Sequence, residues 1–419
     1  MRKVLLFLAL IPTLLSIASC DNTKYYHVNK INDYVFETDV YESLDYDYAD
    51  KYFKDNYDNW GGGCSAVSTL INNKRYVGRN MDLNISNKCA YVVRTKASLP
   101  DEYDTIGLAY TFRDVSPDYN EVLSHNGISE QWHKLLPFMC DDVLNSEGLH
   151  IEINMRHAEC YPNGDDKFSV DHTSKNPDIR RIYMFEVPRY IGSHCKNVQE
   201  AAIYLLSNVN IYNKPGYWNY AYIISDASGH SILVEIANYY GNTRIIQIAP
   251  DDNANVMQTN YYRAAELYDI QDTKTGLGRL DNMENGIGDV TSLSELFDLM
   301  ESINYFQYYS PGCKFDRRSE IIGEAGYLTF DFVYNIMRDN QIQSIINSLF
   351  GPVGTLSRQQ LRDANKYWET TFTEVVDIEN RTIYVKIFEK IQENDPEPTY
   401  LKISFNDTIK KENKVDLFN

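Results

Sequence analysis

The residues best suited to chemistry lie together near position 64. Cys64 follows three glycines, and Arg79 and Asp82 come 15 and 18 residues later. A thiol is a good nucleophile only as the thiolate, which requires a base or a positive neighbour. If the bond between Gly63 and Cys64 were cut, Cys64 would carry a free α-amine, whose usual pKa of about 7.7–8.0 suits a general base. The sequence therefore predicts a nucleophile and its base on one residue.

A hairpin must position these groups. The segments Cys64–Ile71 and Lys74–Arg79 have the composition of two strands, and the pair at 72–73, two asparagines, is typical of a tight turn. Such a hairpin brings Arg79 and Asp82 back beside Cys64. There the guanidinium favours the thiolate, and the carboxylate can accept a hydrogen bond from the α-amine and orient it.

The remaining elements segregate into strand groups and helix groups. We predict an acidic helix within the Tyr- and Asp-rich residues 21–60, helices at 197–208, 261–271, 292–304 and 318–338, strands at 149–154, 220–225, 231–237 and 243–249, and a hairpin around 379–381. Segregation of this kind favours an α+β fold with helices stacked on antiparallel sheets. Residues 64–390 contain no repeat or low-complexity linker, and we interpret them as one catalytic domain followed by a polar extension at 391–419.

The N-terminus has the pattern of an export signal. A cationic pair at 2–3 precedes an apolar run that is too short to span a membrane, and small residues then lead to Cys20. We expect residues 1–19 to be a cleaved signal peptide and residues 20–63 an acidic propeptide. A cysteine at this place resembles a bacterial lipobox, which predicts a lipidated Cys20 and an exported protein anchored to the membrane. A plain secretory signal is the alternative.

Composition and charge exclude several classes of protein. The 419 residues are 43% hydrophobic and 13% aromatic, which is ordinary for a globular protein. The formal net charge of −19 argues against nucleic acid as the main partner. The seven cysteines are widely and irregularly spaced, and no motif indicates a metal.

The motifs around this thiol, taken in order, resemble a known family. Cys-Ser-Ala-Val at 64–67 and Gly-Arg-Asn-Met-Asp at 78–82 resemble the N-terminal-nucleophile (Ntn) cysteine hydrolases of the choloylglycine hydrolase group, which includes bile salt hydrolases, penicillin V acylases and acid ceramidase. Further similar segments follow at 145–154, 222–235, 256–260 and 315–318, and from Trp368 onward. The resemblance covers roughly residues 64–390, and its specificity comes from the ordered co-occurrence of the motifs.

The resemblance implies a fold and a set of roles. The fold would be a four-layer αββα sandwich of two stacked antiparallel sheets. Cys64 would attack first the Gly63 carbonyl and then the substrate. The side-chain amide of Asn260 and the backbone amide near Asn154, or alternatively that of Met155, would stabilise the oxyanion. Arg317, or its neighbour Arg318, would be a late catalytic arginine, and the family implies no metal or organic cofactor.

The implied activity is hydrolysis of a linear carbon–nitrogen amide through an acyl-thioester, with a small N-acyl amide as substrate. Bile salt amides, penicillin V, N-acyl homoserine lactones, N-acylethanolamines and ceramides all stay open as substrates. One alternative is acyl transfer to an amine, as in isopenicillin acyltransferase relatives, and another is a non-catalytic surface lipoprotein that binds ligands. A papain-like protease is disfavoured because the sequence around Cys64 lacks the Cys-Gly-x-Cys-Trp context. Retention of the propeptide after cleavage and assembly into a homo-oligomer are also left open.

Overall fold

The computed structural model describes most of the chain. The described residues are 23–32, 35–41, 43–56, 62–83, 90–110, 119–155, 173–213, 219–239, 242–248, 254–260, 263–264, 277–303, 306–308, 367–387, 399–405 and 407–418. Cys20, Arg317 and Arg318 lie outside these ranges, as do the predicted helix at 318–338 and all but two residues of the one at 261–271. Within the described ranges, no helix has the length and apolar character needed to cross a bilayer.

Strands dominate the fold. In chain order they are β1 (Tyr25–His27), β2 (Asn29–Lys30), β3 (Val35–Val40), β4 (Gly62–Ile71), β5 (Lys74–Leu83), β6 (Ala90–Thr95), β7 (Thr105–Tyr110), β8 (Gly127–Ser129), β9 (Cys140–Asn145), β10 (Leu149–Met155), β11 (Arg180–Tyr183), β12 (Val209–Tyr212), β13 (Tyr220–Asp226), β14 (Ser231–Tyr239), β15 (Asn242–Ile248), β16 (Val256–Gln258), β17 (Phe306–Tyr308), β18 (Tyr367–Asp377), β19 (Thr382–Ile387), β20 (Thr399–Ser404) and β21 (Lys410–Glu412).

The described helices are fewer and short. They are α1 (Tyr46–Asn56), α2 (Tyr119–His125), α3 (Glu130–Leu135), α4 (Val187–His194), α5 (Val198–Ser207), α6 (Leu277–Gly286) and α7 (Leu293–Ser302). The predicted helices at 197–208 and 292–304 are confirmed as α5 and α7. Each begins at a side-chain cap, because the side chains of Asn197 and Ser292 accept hydrogen bonds from backbone amides in the first turn.

Two large sheets carry the site. One has nine strands in the order β15-β14-β13-β10-β9-β7-β6-β3-β2, antiparallel except for the β3–β6 pair. The other has eight, in the order β16-β4-β5-β18-β19-β20-β21 with β17 also paired to β18. The predicted strands at 149–154, 220–225, 231–237 and 243–249 are confirmed as β10, β13, β14 and β15, and the residues after 390 add β20 and β21 to the second sheet.

The two sheets stack face to face. β4 packs on β10 and β13, while α4 and α5 cover the outer face of the first sheet and α6 and α7 that of the second. Alternate residues of β18 show the layering: Val376 belongs to the core between the sheets, and Val375 to the core under α7. The predicted α+β, four-layer αββα architecture is therefore confirmed by the contacts of the chain itself.

The N-terminal segment is built into this structure. β3 runs parallel to β6 over six residue pairs, from Val35 opposite Ala90 to Val40 opposite Thr95. α1 buries Phe53 completely, and the Phe53 ring packs against that of Phe185. The acidic helix predicted within 21–60 is thus present as α1, and it is accompanied by strands that the sequence did not reveal.

The packing of α4 on the first sheet leaves no room at Gly192, which gives a stability prediction. A Cβ at this position would lie 2.5 Å from Cγ1 of Val143 on β9. We expect Gly192→Ala to lower the free energy of unfolding by about 1–3 kcal/mol, as overpacking does. Gly288→Ala is the matched control because nothing lies within 4 Å of its added methyl group. Denaturant unfolding of both variants measures the difference, and equal stabilities would contradict the described packing.

Candidate active site

The predicted hairpin forms and places its polar residues beside the thiol. β4 and β5 are joined at Asn72 and Asn73, which both adopt the left-handed backbone conformation (φ 54° and 64°) that such tight turns need. In the resulting register, Gly63 lies opposite Asp82 and Ala66 opposite Arg79. The strand β4 begins before Cys64 and runs through the Gly63–Cys64 bond, so this bond lies within the sheet.

The thiol of Cys64 is buried between the sheets. Its residue is 1% exposed, and Sγ lies 3.6 Å from Sδ of Met81. Burial raises the pKa of Cys64 to about 12, while the Arg79 guanidinium and a hydrogen bond from the Met155 backbone oppose this rise. In the uncut chain the thiol is therefore protonated at neutral pH and requires a base to become a nucleophile.

Arg79 is held rigidly at the inner face of its sheet. Its Nη1 donates to Asp142 at 2.8 Å and its Nη2 to the carbonyl of Ile153 at 2.8 Å. Nε lies 3.2 Å from a carboxylate oxygen of Glu152. Because the guanidinium is completely buried, these contacts fix its distance from Cys64.

The backbone of Cys64 has polar side chains at both its ends. Its N–H donates to Oδ1 of Asn260 at 3.3 Å, and its carbonyl accepts from Nη1 of Arg279 at 3.0 Å. Arg279 also donates to Asn260 Oδ1 at 2.6 Å and to Asp82 Oδ2 at 2.9 Å. The second oxygen of Asp82 accepts from Thr370 at 2.6 Å. Buried polar side chains therefore contact both the backbone N–H and the backbone carbonyl of Cys64.

Four of the predicted residues converge on this point. All four are buried: Cys64 lies on β4, Arg79 and Asp82 lie on β5, and Asn260 follows the end of β16. The side-chain amide of Asn260 donates to the Met155 carbonyl at 2.5 Å. The carboxylate of Asp82 is paired with Arg279 and Thr370 in the uncut chain rather than with the Cys64 nitrogen.

Asn154 precedes Met155 on β10, and its side chain is hydrogen-bonded to Glu152. Its Nδ2 donates to Glu152 at 2.6 Å. The backbone group that reaches the sulfur belongs to Met155. Which of the two positions supplies a backbone oxyanion donor stays a prediction, and Met155 is the one whose backbone contacts the sulfur. Burial raises the pKa of the neighbouring Glu152 to about 7, and Arg79 opposes that rise.

Arg279 is the functional candidate that sequence reasoning missed. It is 2% exposed and follows Asn260 by 19 residues, at the start of α6. A signal was present, because Arg279 stands four residues before the buried Met283 and so falls on the same face of the helix. A cation on the buried face of a helix requires a buried partner, which here is Asp82.

The fold and the site together define a class of protein. It is an αββα sandwich whose two sheets enclose a cysteine on a strand, with two buried arginines and a carboxylate around the main chain of that cysteine.

Among known proteins, this chain is similar to several solved structures. No protein-family model matches the chain, and no curated protein does. Two variants of the conjugated bile acid hydrolase from Clostridium perfringens are similar to it, at 14% and 15% identity with TM-scores of 0.39 and 0.38. They cover 83% and 84% of this chain, which covers 96% of each. Penicillin V acylase from Agrobacterium tumefaciens shows 14% identity and a TM-score of 0.37. The similarity covers 81% of this chain and 86% of the acylase. At these identities and scores, the fold and the site rest on the contacts described above.

Proposed function

We propose that this chain is a self-processing Ntn cysteine hydrolase of linear carbon–nitrogen amides. The observation that carries the proposal is the pair of contacts to the Cys64 main chain, from Asn260 at its N–H and from Arg279 at its carbonyl. A thiol enzyme with a separate base has no need of buried polar groups at the backbone nitrogen of its nucleophile. An enzyme whose base is that nitrogen does need them.

The proposed reaction begins on the chain itself. The Cys64 sulfur attacks the Gly63 carbonyl carbon, the bond from that carbon to the Cys64 nitrogen breaks, and the nitrogen takes up the thiol proton. Water then hydrolyses the resulting thioester, leaving a carboxylate on Gly63 and a free amine on Cys64. The same thiol next attacks a substrate amide, and the new amine accepts the thiol proton and passes it to the leaving amine. Water resolves the acyl-thioester.

The surrounding residues would support these steps in distinct ways. Arg79 stabilises the thiolate against the effect of burial. The Met155 backbone amide and the Asn260 side-chain amide would stabilise the oxyanion, at roughly 3–4 kcal/mol for each donor. Asp82 and Arg279 would orient the amine released at Cys64. Arg317, the late arginine that the motifs suggest, lies outside the described residues, and Arg279 supplies a buried guanidinium at the site.

The N-terminal segment has a proposed fate of its own. We infer that residues 20–63 stay bound after cleavage, since the ladder between β3 and β6 and the buried Phe53 hold the segment without a covalent link. Arg94 adds an ion pair of 2.7 Å to Glu37 on β3. If Cys20 is acylated after export, as its position in the sequence suggests, the retained segment would keep the enzyme at the membrane.

Mass spectrometry of the purified chain tests the proposal. We expect two polypeptides that co-elute under native conditions, the larger of which begins at Cys64. An electrophilic acyl amide should transfer its acyl group to Cys64 of the larger polypeptide and release the amine of the probe. A chain that hydrolyses amides while the Gly63–Cys64 bond stays intact would contradict the mechanism. Added amine acceptors that receive the acyl group would instead identify a transferase.

A further inference from the structure

A second group of buried polar side chains lies beyond Arg79, between the sheets. Asp142 on β9 and His150 on β10 come from the first sheet, and Glu374 on β18 comes from the second. One ligand atom from each lies within 4.8 Å of the other two. Each of the three residues is completely buried. The proposed amide chemistry does not use His150 or Glu374.

The imidazole of His150 has no hydrogen-bond partner among the described residues. Both of its ring nitrogens are completely buried, whereas the carboxyl group of Glu374 shares a hydrogen bond with that of Asp142. Burying a polar group without a partner is costly, and burying a charge without one is costlier. A neutral imidazole keeps a lone pair on one ring nitrogen, which can bind a cation. A buried imidazole without a partner, next to a pair of buried carboxyl groups, has the composition of a cation-binding site.

The charges around the group indicate the sign of its ligand. Asp142, Glu152 and Glu374 surround a single cation, Arg79, so three ionised carboxylates would leave an excess of two negative charges. A bound dication would offset these two negative charges.

We propose that Asp142, His150 and Glu374 bind one divalent transition-metal cation of the Zn²⁺ or Mn²⁺ type. One imidazole nitrogen and two carboxylate oxygens form a ligand set that these ions accept, whereas Mg²⁺ and Ca²⁺ prefer oxygen ligands alone. The proposal does not depend on the activity assigned to Cys64. Its ligands come from both sheets, so the cation would join the two layers.

The same cation would act on the thiol site through Asp142. The carboxylate of Asp142 holds Nη1 of Arg79 at 2.8 Å and also accepts from the backbone of Leu108 at 3.3 Å. Fixing this carboxylate from its other side would fix the guanidinium that faces Cys64. Asp142 is thus a positioning residue for Arg79, and the metal would be structural rather than a participant in amide cleavage.

Metal content measured on the full chain tests the site. The protein is produced in cells grown with added Zn²⁺, purified in its native state, freed of loosely bound ions and analysed by elemental mass spectrometry. We expect about one Zn²⁺ per chain for the wild type, and affinity lowered by at least about tenfold in His150→Gln and Glu374→Gln. Glu186→Gln is the matched control, because Glu186 is also completely buried with one unpartnered oxygen, yet it lies outside the group. This variant should bind Zn²⁺ like the wild type.

The wild type alone gives a second reading if the variants do not fold. A crystal of the Zn²⁺-loaded protein should show an anomalous-scattering peak between the three side chains. A peak elsewhere, or a wild-type chain that takes up no Zn²⁺, would overturn the proposal. Either result would mean that shared protons and buried water neutralise the group, in line with the raised pKa of Glu374 that burial causes.

Discussion

Replacing Cys64 with alanine is expected to leave the chain in one piece and to remove amide hydrolysis. Both steps depend on the same sulfur, so the full-length mass should persist while kcat falls on the order of 10⁴-fold or more. The fold should survive, because Cys64→Ala removes a single atom from a large hydrophobic core. The sulfur contacts Sδ of Met81 there and forms no disulfide. Mass spectrometry and turnover of an acyl-amide panel measure the two effects on one preparation.

The matched control for this change is Cys195→Ala. Cys195 is likewise a buried free thiol, and burial raises its pKa to about 12, yet it ends α4 on the outer side of the first sheet. This variant should still cleave itself and turn over substrate. Two fragments with a new terminus at position 64 in the Cys64→Ala protein would rule out autocatalysis and point to an external protease.

Replacing Arg279 with methionine is expected to have the second largest effect. The change leaves the buried carboxylate of Asp82 with Thr370 but without its ion pair, and it leaves the Cys64 carbonyl without its donor. Removing one partner of a buried pair costs about 3–5 kcal/mol of stability. We also expect self-cleavage and kcat to fall roughly 10²–10³-fold, as for the loss of one preorganised donor.

The pH profile separates a role in the site from a merely structural one. Burial raises the pKa of Asp82, and Arg279 opposes that rise. Without the guanidinium the pKa rises further, so the carboxylate forms only at higher pH, and the acidic limb of the rate profile should move to higher pH. Arg189→Met is the matched control, since Arg189 is equally buried but donates to Thr105 far from this group. It should lose stability without a shift of the limb, and identical profiles in the two variants would contradict the assignment.

The parts of the site that lie close in sequence could be predicted from it. The asparagine turn and the short strands on either side determine the register of β4 and β5, and this register places Arg79 and Asp82 beside Cys64. The helices at Asn197 and Ser292 were equally accessible, because each begins with a capping side chain that acts within its own first turn.

The parts that depend on distant pairings could not. Arg279 reaches Cys64 only because α6 packs on β4 and β16, and no local pattern indicates that packing. The distinction between Asn154 and Met155 depends on strand register, where a shift of one residue exchanges the two faces. β3 escaped notice because its partner β6 begins 55 residues after it, and parallel pairs leave no hairpin signal in the sequence.

The parallel pairing of β3 with β6 has a consequence for how the molecule can be unfolded and recovered. Before cleavage, both strands belong to one polypeptide, so refolding from urea is a first-order process that does not depend on dilution. After cleavage at Gly63, the segment with β3 is a separate molecule, and its return to β6 becomes a second-order encounter. We therefore expect the uncut Cys64→Ala chain to recover its fold at any concentration and the processed wild type to recover poorly when dilute. Cleavage would thus change unfolding from a reversible process into one that dilute protein does not reverse.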